Sequence, residues 1–248
     1  MEDLVLTPGQ YAQLWNGALA TVRILAGAFA LGLFLSLVVG VGRLSERKWV
    51  RGISFGFVEF ARGISSIILL TIMVIAIPIL LGDVFPWLRG RSVAVLGAIA
   101  LGLNMGGYGA EIIRGSILAI PKGQGEACIA LNLSPTQRLR FVVLPQALRI
   151  ILPPMGNLTI EILKGTALVS VVAGFDLMRA TQNLIAGMLA QGALGVTVLF
   201  INVLFIYFIL AQGVNGLFRL AERVLDRRFE QRTGRSAVPI NVAATAGS

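Results

Sequence analysis

Five stretches of this chain are apolar for long enough to cross a lipid bilayer, and that leaves it few folds. They lie at about residues 18–42, 57–81, 93–113, 150–174 and 194–218. The hydrocarbon core of a bilayer is about 30 Å thick, and about 20 helical residues cross it. The whole chain is 56% hydrophobic and 13% charged, with a mean hydropathy of +0.84, which is far too apolar for a soluble domain. The expectation is an all-α polytopic membrane protein with five transmembrane helices. Residues 1–220 form one transmembrane domain, and 221–248 form a charged tail, part helix and disordered from Thr233 onward. No internal repeat and no soluble domain are evident.

The net charge of +9 does not point to nucleic acid, because the basic residues lie between the apolar runs rather than on one soluble face. They read as determinants of orientation. Arg43, Arg47, Lys48 and Arg51 fall on one side, with Arg114, Lys122, Arg138, Arg140 and Arg149. The tail residues Arg219, Arg223, Arg227, Arg228, Arg232 and Arg235 join them, against Arg89, Arg91 and Arg179 on the other side. The N-terminus is therefore expected outside and the C-terminus in the cytoplasm. Trp15, Trp49 and Trp87 fall near span ends, as interfacial anchors do. The first 22 residues carry Glu2 and Asp3 but no Lys or Arg, so the basic region of a signal peptide is missing.

The longest interruption between apolar runs, about residues 121–149, carries the most ordered polar pattern. Gln124 to Leu131 reads as a short helix with Ala127, Ala130 and Leu131 on one face. Asn132 reads as a left-handed stop. Ser134-Pro135-Thr136-Gln137 starts a second helix, with Ser at the N-cap, Pro at N1 and Gln completing a capping box. Pro145 and the pair Pro153-Pro154 are expected to punctuate the chain beyond it. The reading is a small helical hairpin on the cytoplasmic side.

Ionisable residues within membrane spans are costly and count as functional candidates. Three pairs sit at i, i+3, close enough to neutralise locally: Glu59 with Arg62, Glu111 with Arg114, and Glu161 with Lys164. The first two lie near the cytoplasmic ends of their spans, where anchoring explains them. Glu161 and Lys164 lie deeper, and with Asn157 they form a stripe at i, i+4 and i+7. That stripe either lines a pathway for a polar or zwitterionic substrate or makes an ion pair between helices or subunits. Asn104 is a weaker pathway candidate, since an interhelical hydrogen bond also explains it. Gly32, Ser36 and Gly40 on the first span form a small-residue stripe suited to close packing. Gly102 and Gly106, followed by Gly107 and Gly109, give the third span the same character.

Several chemistries are excluded or improbable. A single cysteine, Cys128, allows no internal disulfide, and with no histidine at all a zinc or haem site is improbable; no metal and no cofactor are expected. No G-x-x-x-x-G-K-[ST] phosphate loop occurs, and no nucleophile–base set marks an enzyme. An ATP-independent secondary transporter is the main rival class. The odd span count, the lack of an inverted repeat and the structured hairpin stand against it.

The residues around the hairpin resemble the cytoplasmic Glu-Ala-Ala loop of permease subunits of bacterial ATP-binding-cassette importers, in particular the polar amino acid uptake family. The matching run includes Tyr108, Ala110-Glu111-Ile112, Arg114-Gly115, Pro121-Lys122-Gly123-Gln124, Glu126-Ala127, Ala130-Leu131, Val143-Leu144-Pro145-Gln146-Ala147-Leu148-Arg149, Pro153-Pro154, Asn157 and Lys164. Upstream, Glu59-Phe60 and Arg62-Gly63 fit as well. Cys128 stands where the family has Ala, and Asn132 where it has Gly. Gly125 is unusual in the short helix. Ile64-Ser65 replaces Thr-Pro, and Gly165-Thr166-Ala167 replaces Asp-Thr-Ser.

The resemblance implies a MetI-like type I importer fold and a half-permease in the bacterial inner membrane, paired with an identical or related permease subunit. A cytoplasmic ATPase dimer would receive the loop, and an extracytoplasmic solute-binding protein would deliver substrate. The coupling loop would then comprise Gly123, Glu126, Ala127, Ala130, Leu131, Asn132, Ser134 and Pro145. Candidate pathway residues are Asn157, Glu161, Lys164, Glu59 and Asn104. The expected cargo is a polar amino acid or related zwitterion, with a compatible solute such as ectoine as the alternative.

Overall fold

In a computed structural model, residues 6–86, 91–189 and 193–233 are described, with the backbone alone for residues 228–233. Trp87, Arg89 and the tail beyond Thr233, including its expected disorder, lie outside the described residues. Every regular element among the described residues is helical. We label them α1 (Pro8–Gly42), α2 (Lys48–Gly63), α3 (Ser66–Leu81), α4 (Val93–Leu118), α5 (Lys122–Ala130), α6 (Pro135–Val172), α7 (Leu177–Leu189) and α8 (Ala193–Thr233). Four of these, α1, α4, α6 and α8, are long and apolar enough to cross a membrane, and the pair α2–α3 makes a fifth if it is one span.

That pair corrects the expected span at 57–81, which is not one straight helix. The axes of α2 and α3 differ by 101°. Ile64 (φ −94°, ψ 137°) and Ser65 (φ −59°, ψ 133°) are both extended, so α2 stops and Ser65 starts α3 afresh. The composition of α2 explains the turn. Ser54, Val58 and Ala61 face the protein, whereas Trp49, Ile53 and Phe60 are exposed on a second side. Lys48, Arg51, Glu59 and Arg62 occupy a third side at helical spacing. This three-sided amphipathicity sets α2 apart from α3, which is apolar almost throughout beyond the bend. Glu59 and Arg62 therefore stand near the C-terminal end of α2, just before the bend.

The prolines do not punctuate the chain as expected. Pro135 to Val172 is one continuous helix of 38 residues, with Pro153 and Pro154 inside it. The apparent second half of the hairpin is the first turn of this long helix. A wide π-turn at Leu139–Val143 ends just before Pro145, and a second one at Ile72–Ala76 ends just before Pro78. Proline lacks the N–H that would close an α-turn on its i−4 carbonyl, and a π-turn is one way for a helix to absorb that loss without breaking.

The core is the seam between α1 and α4, and here the small-residue stripes allow close packing as expected, each helix against the other. A Cβ on Gly32 would lie 2.7 Å from Met105 Cβ, and one on Gly106 would lie 2.7 Å from Leu35 Cβ. Gly40 likewise faces Ala110 and Ile113. Ser36 satisfies its hydroxyl locally by donating to Gly32 O at 2.6 Å. Gly107 faces Ala61 of α2, which is also where Asn104 Nδ2 donates to Ala61 O at 3.1 Å. Met155, Leu158, Ile162 and Leu163 of α6 complete this core.

The helix α7 has no counterpart in the expected spans. Asp176 caps it, accepting Arg179 N–H at Oδ1 (2.9 Å), and Leu177 N–H donates to Thr21 Oγ1 of α1 at 3.1 Å. Its inner side, Leu177 and Met188, packs with Leu14, Leu199 and Val203 in a second core. The last helix, α8, runs unbroken through Arg219 into the charged segment as far as Thr233.

Candidate functional site

Two features gather most of the residues singled out in the sequence. The first is the corner between α5 and α6. Asn132 has φ 57°. Leu133 N–H bonds to Cys128 O at 3.0 Å and Asn132 N–H to Ile129 O at 2.9 Å, the paired bonds of a Schellman stop. Ser134 then caps α6: Gln137 N–H donates to its Oγ at 3.3 Å, and Ser134 N–H donates to Gln137 Oε1 at 2.9 Å. The corner is locked by its own backbone.

What it presents is apolar. Cys128 and Gly125 turn inward, and a Cβ on Gly125 would lie 2.5 Å from Arg138 Nη2. The glycine lets that guanidinium lie flat against α5. Gln146 Nε2 donates to Gln124 Oε1 at 3.3 Å, tying α5 to α6 further along. Gly123, Glu126, Ala127 and Ala130 lie on α5 beside them, and all four are exposed. Ile129 and Leu131 are 67% and 73% exposed. Leu139, Phe141 and Leu144 extend the exposed apolar surface along α6. Pro145 follows the π-turn of α6 and is half-buried.

The second feature is a cleft of about 460 Å³ between α2, α4 and α6, lined among others by Arg62, Tyr108, Glu111, Asn157 and Glu161. The three i, i+3 pairs do not behave alike. Only Glu111 and Arg114 close on each other, at 2.8 Å, and Glu111 also binds Arg43 Nη2 at 2.9 Å. Arg43 lies 4.7 Å from the centroid of the Phe55 ring. Arg62 does not pair with Glu59; it lies over the Tyr108 ring at 5.4 Å, a cation–π contact at the cleft wall. Glu161 and Lys164 do not pair with each other, and both are exposed.

Asn157 and Glu161 are thus brought together with Arg62 and Glu111. Lys164 stands one turn further along the same stripe, beyond the cleft lining. Asn104 is buried in its bond to Ala61 O, and Glu59 is on the outer side of α2; the structure groups neither with the cleft. Sequence reasoning did not find Arg43 or Tyr108 as neighbours of this cleft. Tyr108 stands at i−3 to Glu111 and on its helix face, a usable signal. Nothing local ties Arg43 to a residue on a different span.

Comparison with known proteins places this architecture. Residues 30–220 match the family described as binding-protein-dependent transport system inner membrane component. A probable amino-acid ABC transporter permease of Sinorhizobium fredii is 36% identical over 214 residues, covering 86% of this chain and 87% of that protein. The L-cystine transport system permease TcyB of Bacillus subtilis is 32% identical, covering 88% and 87%. Among solved structures, an amino acid ABC transporter superposes with a TM-score of 0.72 at 27% identity, over 86% of this chain and 94% of that one. The MetNI methionine ABC transporter in an inward-facing form gives a TM-score of 0.71 at 21% identity, over 89% and 99%, and shares the fold. The chain belongs to the family of binding-protein-dependent transport system inner membrane components.

Proposed function

We propose that this chain is the membrane-spanning half-permease of an ATP-driven importer for amino acids or closely related zwitterions. The observation that carries the reading is the cleft, where a guanidinium (Arg62) and a carboxylate and amide (Glu161, Asn157) line one cavity within the apolar body. A zwitterion needs a cation for its carboxylate and an acceptor for its ammonium, and both signs are present. The relatives named for amino acids and L-cystine support that substrate class. The N-terminus is outside and the C-terminus is cytoplasmic, with α2–α3 as the fifth crossing and residues 1–220 as the transmembrane domain.

Energy enters through the corner. Ala127, Ala130 and Leu131, all exposed, form the apolar knob that a cytoplasmic ATPase dimer receives in a surface groove, a helix-in-groove contact. Glu126 stands exposed at the middle of α5 and offers a charged contact to the partner beside that knob. The Schellman stop and capping box make the corner rigid, so displacement of α5 is transmitted into α6 and to Asn157, Glu161 and Lys164. A second permease subunit faces this stripe, and an external binding protein delivers the solute. ATP hydrolysis belongs to the partner, and this chain carries no catalytic step.

The test is uptake by a Glu161→Ala variant at matched membrane levels. Loss of affinity or rate of about tenfold or more is expected, on the scale of one lost charge contact in a low-dielectric site. Unchanged uptake removes Glu161 from the pathway.

A further inference from the structure

On the side of α6 opposite the polar stripe, an apolar groove of about 570 Å³ runs between α1, α6 and α8. Leu152 and Leu163 of α6, Phe29 of α1, and Leu210, Gly213 and Leu217 of α8 form its walls. Thr159 adds no polarity, since its hydroxyl donates to Met155 O at 2.8 Å. Along α8 the groove extends from Leu210 to Ala221, about 16 Å at 1.5 Å per residue, which is close to one leaflet of a bilayer core about 30 Å thick.

At one end the groove meets charge. Leu152 is shared with a smaller pocket of about 120 Å³ that contains Arg149, Glu222 and Asp226. Arg149 Nε is 3.2 Å from Asp226 Oδ1, and its Nη2 donates to Asp226 O at 3.3 Å. A leaflet-deep apolar slot ending in a small charged pocket has the shape of an amphiphile.

We propose that groove and pocket together bind one phospholipid with an aminated zwitterionic headgroup. An acyl chain fills the slot, the ammonium lies at Glu222 and Asp226, and the phosphate lies beside Arg149. Two carboxylates to one guanidinium select against a headgroup of net negative charge. A second copy of the chain is the competing occupant, and the α6 wheel argues against it. Asn157 is five residues from Leu152, about 140° around the helix, so the groove and the polar stripe face apart. That step rests on the reading of the stripe as the subunit-facing side.

Native mass spectrometry of the full-length subunit in mild detergent tests the proposal, with dioleoyl phosphatidylethanolamine and dioleoyl phosphatidylglycerol as probes. The expected result is one retained phosphatidylethanolamine per chain, roughly fivefold over phosphatidylglycerol, as a pair of partly exposed charge contacts would give. A Cβ on Gly213 meets nothing within 4 Å, so Gly213→Phe fills the groove without displacing a neighbour and should abolish retention. The Glu222→Gln, Asp226→Asn double variant should retain both lipids about equally. Equal retention by the unaltered protein, or retention unaffected by Gly213→Phe, overturns the proposal. So does a disulfide between two copies through Leu217→Cys in a Cys128→Ala background. Crosslinking through Asn157→Cys reports on the subunit face alone, so either reading can fail without the other.

Discussion

Asn132 holds the α5–α6 corner at a φ of 57°, a conformation that costs an ordinary L-residue about 1–2 kcal/mol and Asn or Gly much less. Asn132→Gly should leave thermal stability nearly unchanged, whereas Asn132→Val should lower it by about 1–2 kcal/mol and raise hydrogen exchange at Leu133 and Ser134. Ala173 has the same conformation, φ 61°, without asparagine's tolerance. Ala173→Gly is therefore expected to stabilise the subunit in a melting experiment. Asp176 makes a third residue-scale prediction. Burial lifts its carboxyl to about 6 from the ordinary 3.8, against the hydrogen bonds from the α7 backbone, and its Oδ2 has no hydrogen-bond partner among the described residues. The folded chain thus holds that proton more tightly than the unfolded chain. Its stabilising contribution is complete below about pH 4 and is lost as pH rises to about 6. Asp176→Asn should flatten that part of the stability–pH curve; parallel curves for the two proteins contradict the assignment. These residues differ in how far they could be read from sequence. Asn132 and Ser134 act through neighbours within a few positions, so their roles were visible there. The setting of Asp176 depends on α1, at the far end of the sequence, and was not.

The elements divide along the same line. The glycine and serine stripes of α1 and α4 were legible because close helix approach requires small residues at intervals of four, and each stripe does pack against the other helix. Gly32→Leu should force the seam apart, costing roughly 1–3 kcal/mol by overpacking, with a lower melting temperature as the readout. Gly56→Leu on α2, where a Cβ meets nothing within 4 Å, should cost far less. The break between α2 and α3 was not legible. Gly63-Ile64-Ser65 carries no proline, and the strongly apolar α3 lifts a window average that also takes in the end of α2, so the two helices, which diverge by 101°, read as one span. The same averaging hid α7, which is short and mixed in composition. The prolines of α6 misled in the opposite sense, because a π-turn before Pro145 keeps the helix whole.

At the scale of the molecule, charge pairing was legible in kind but not in partner. Glu111 was expected to bind Arg114 and does, but it also recruits Arg43 from the end of α1. Arg62 leaves Glu59 for Tyr108 and so joins α2 to the cleft on α4 and α6. The result is a body in which a rigid apolar corner and a polar cleft are carried by one long helix, α6. The account predicts that Leu131→Asp removes ATPase co-purification and ATP-driven uptake together while leaving the melting temperature within about 2 °C, since Leu131 is exposed and exposed substitutions away from special features are nearly neutral. The most direct test of the central claim is amino acid uptake into proteoliposomes containing this subunit, with its ATPase and binding protein, with and without ATP. The account predicts uptake only when ATP and both partners are present. Uptake by this subunit without ATP and without an ATPase partner would contradict it.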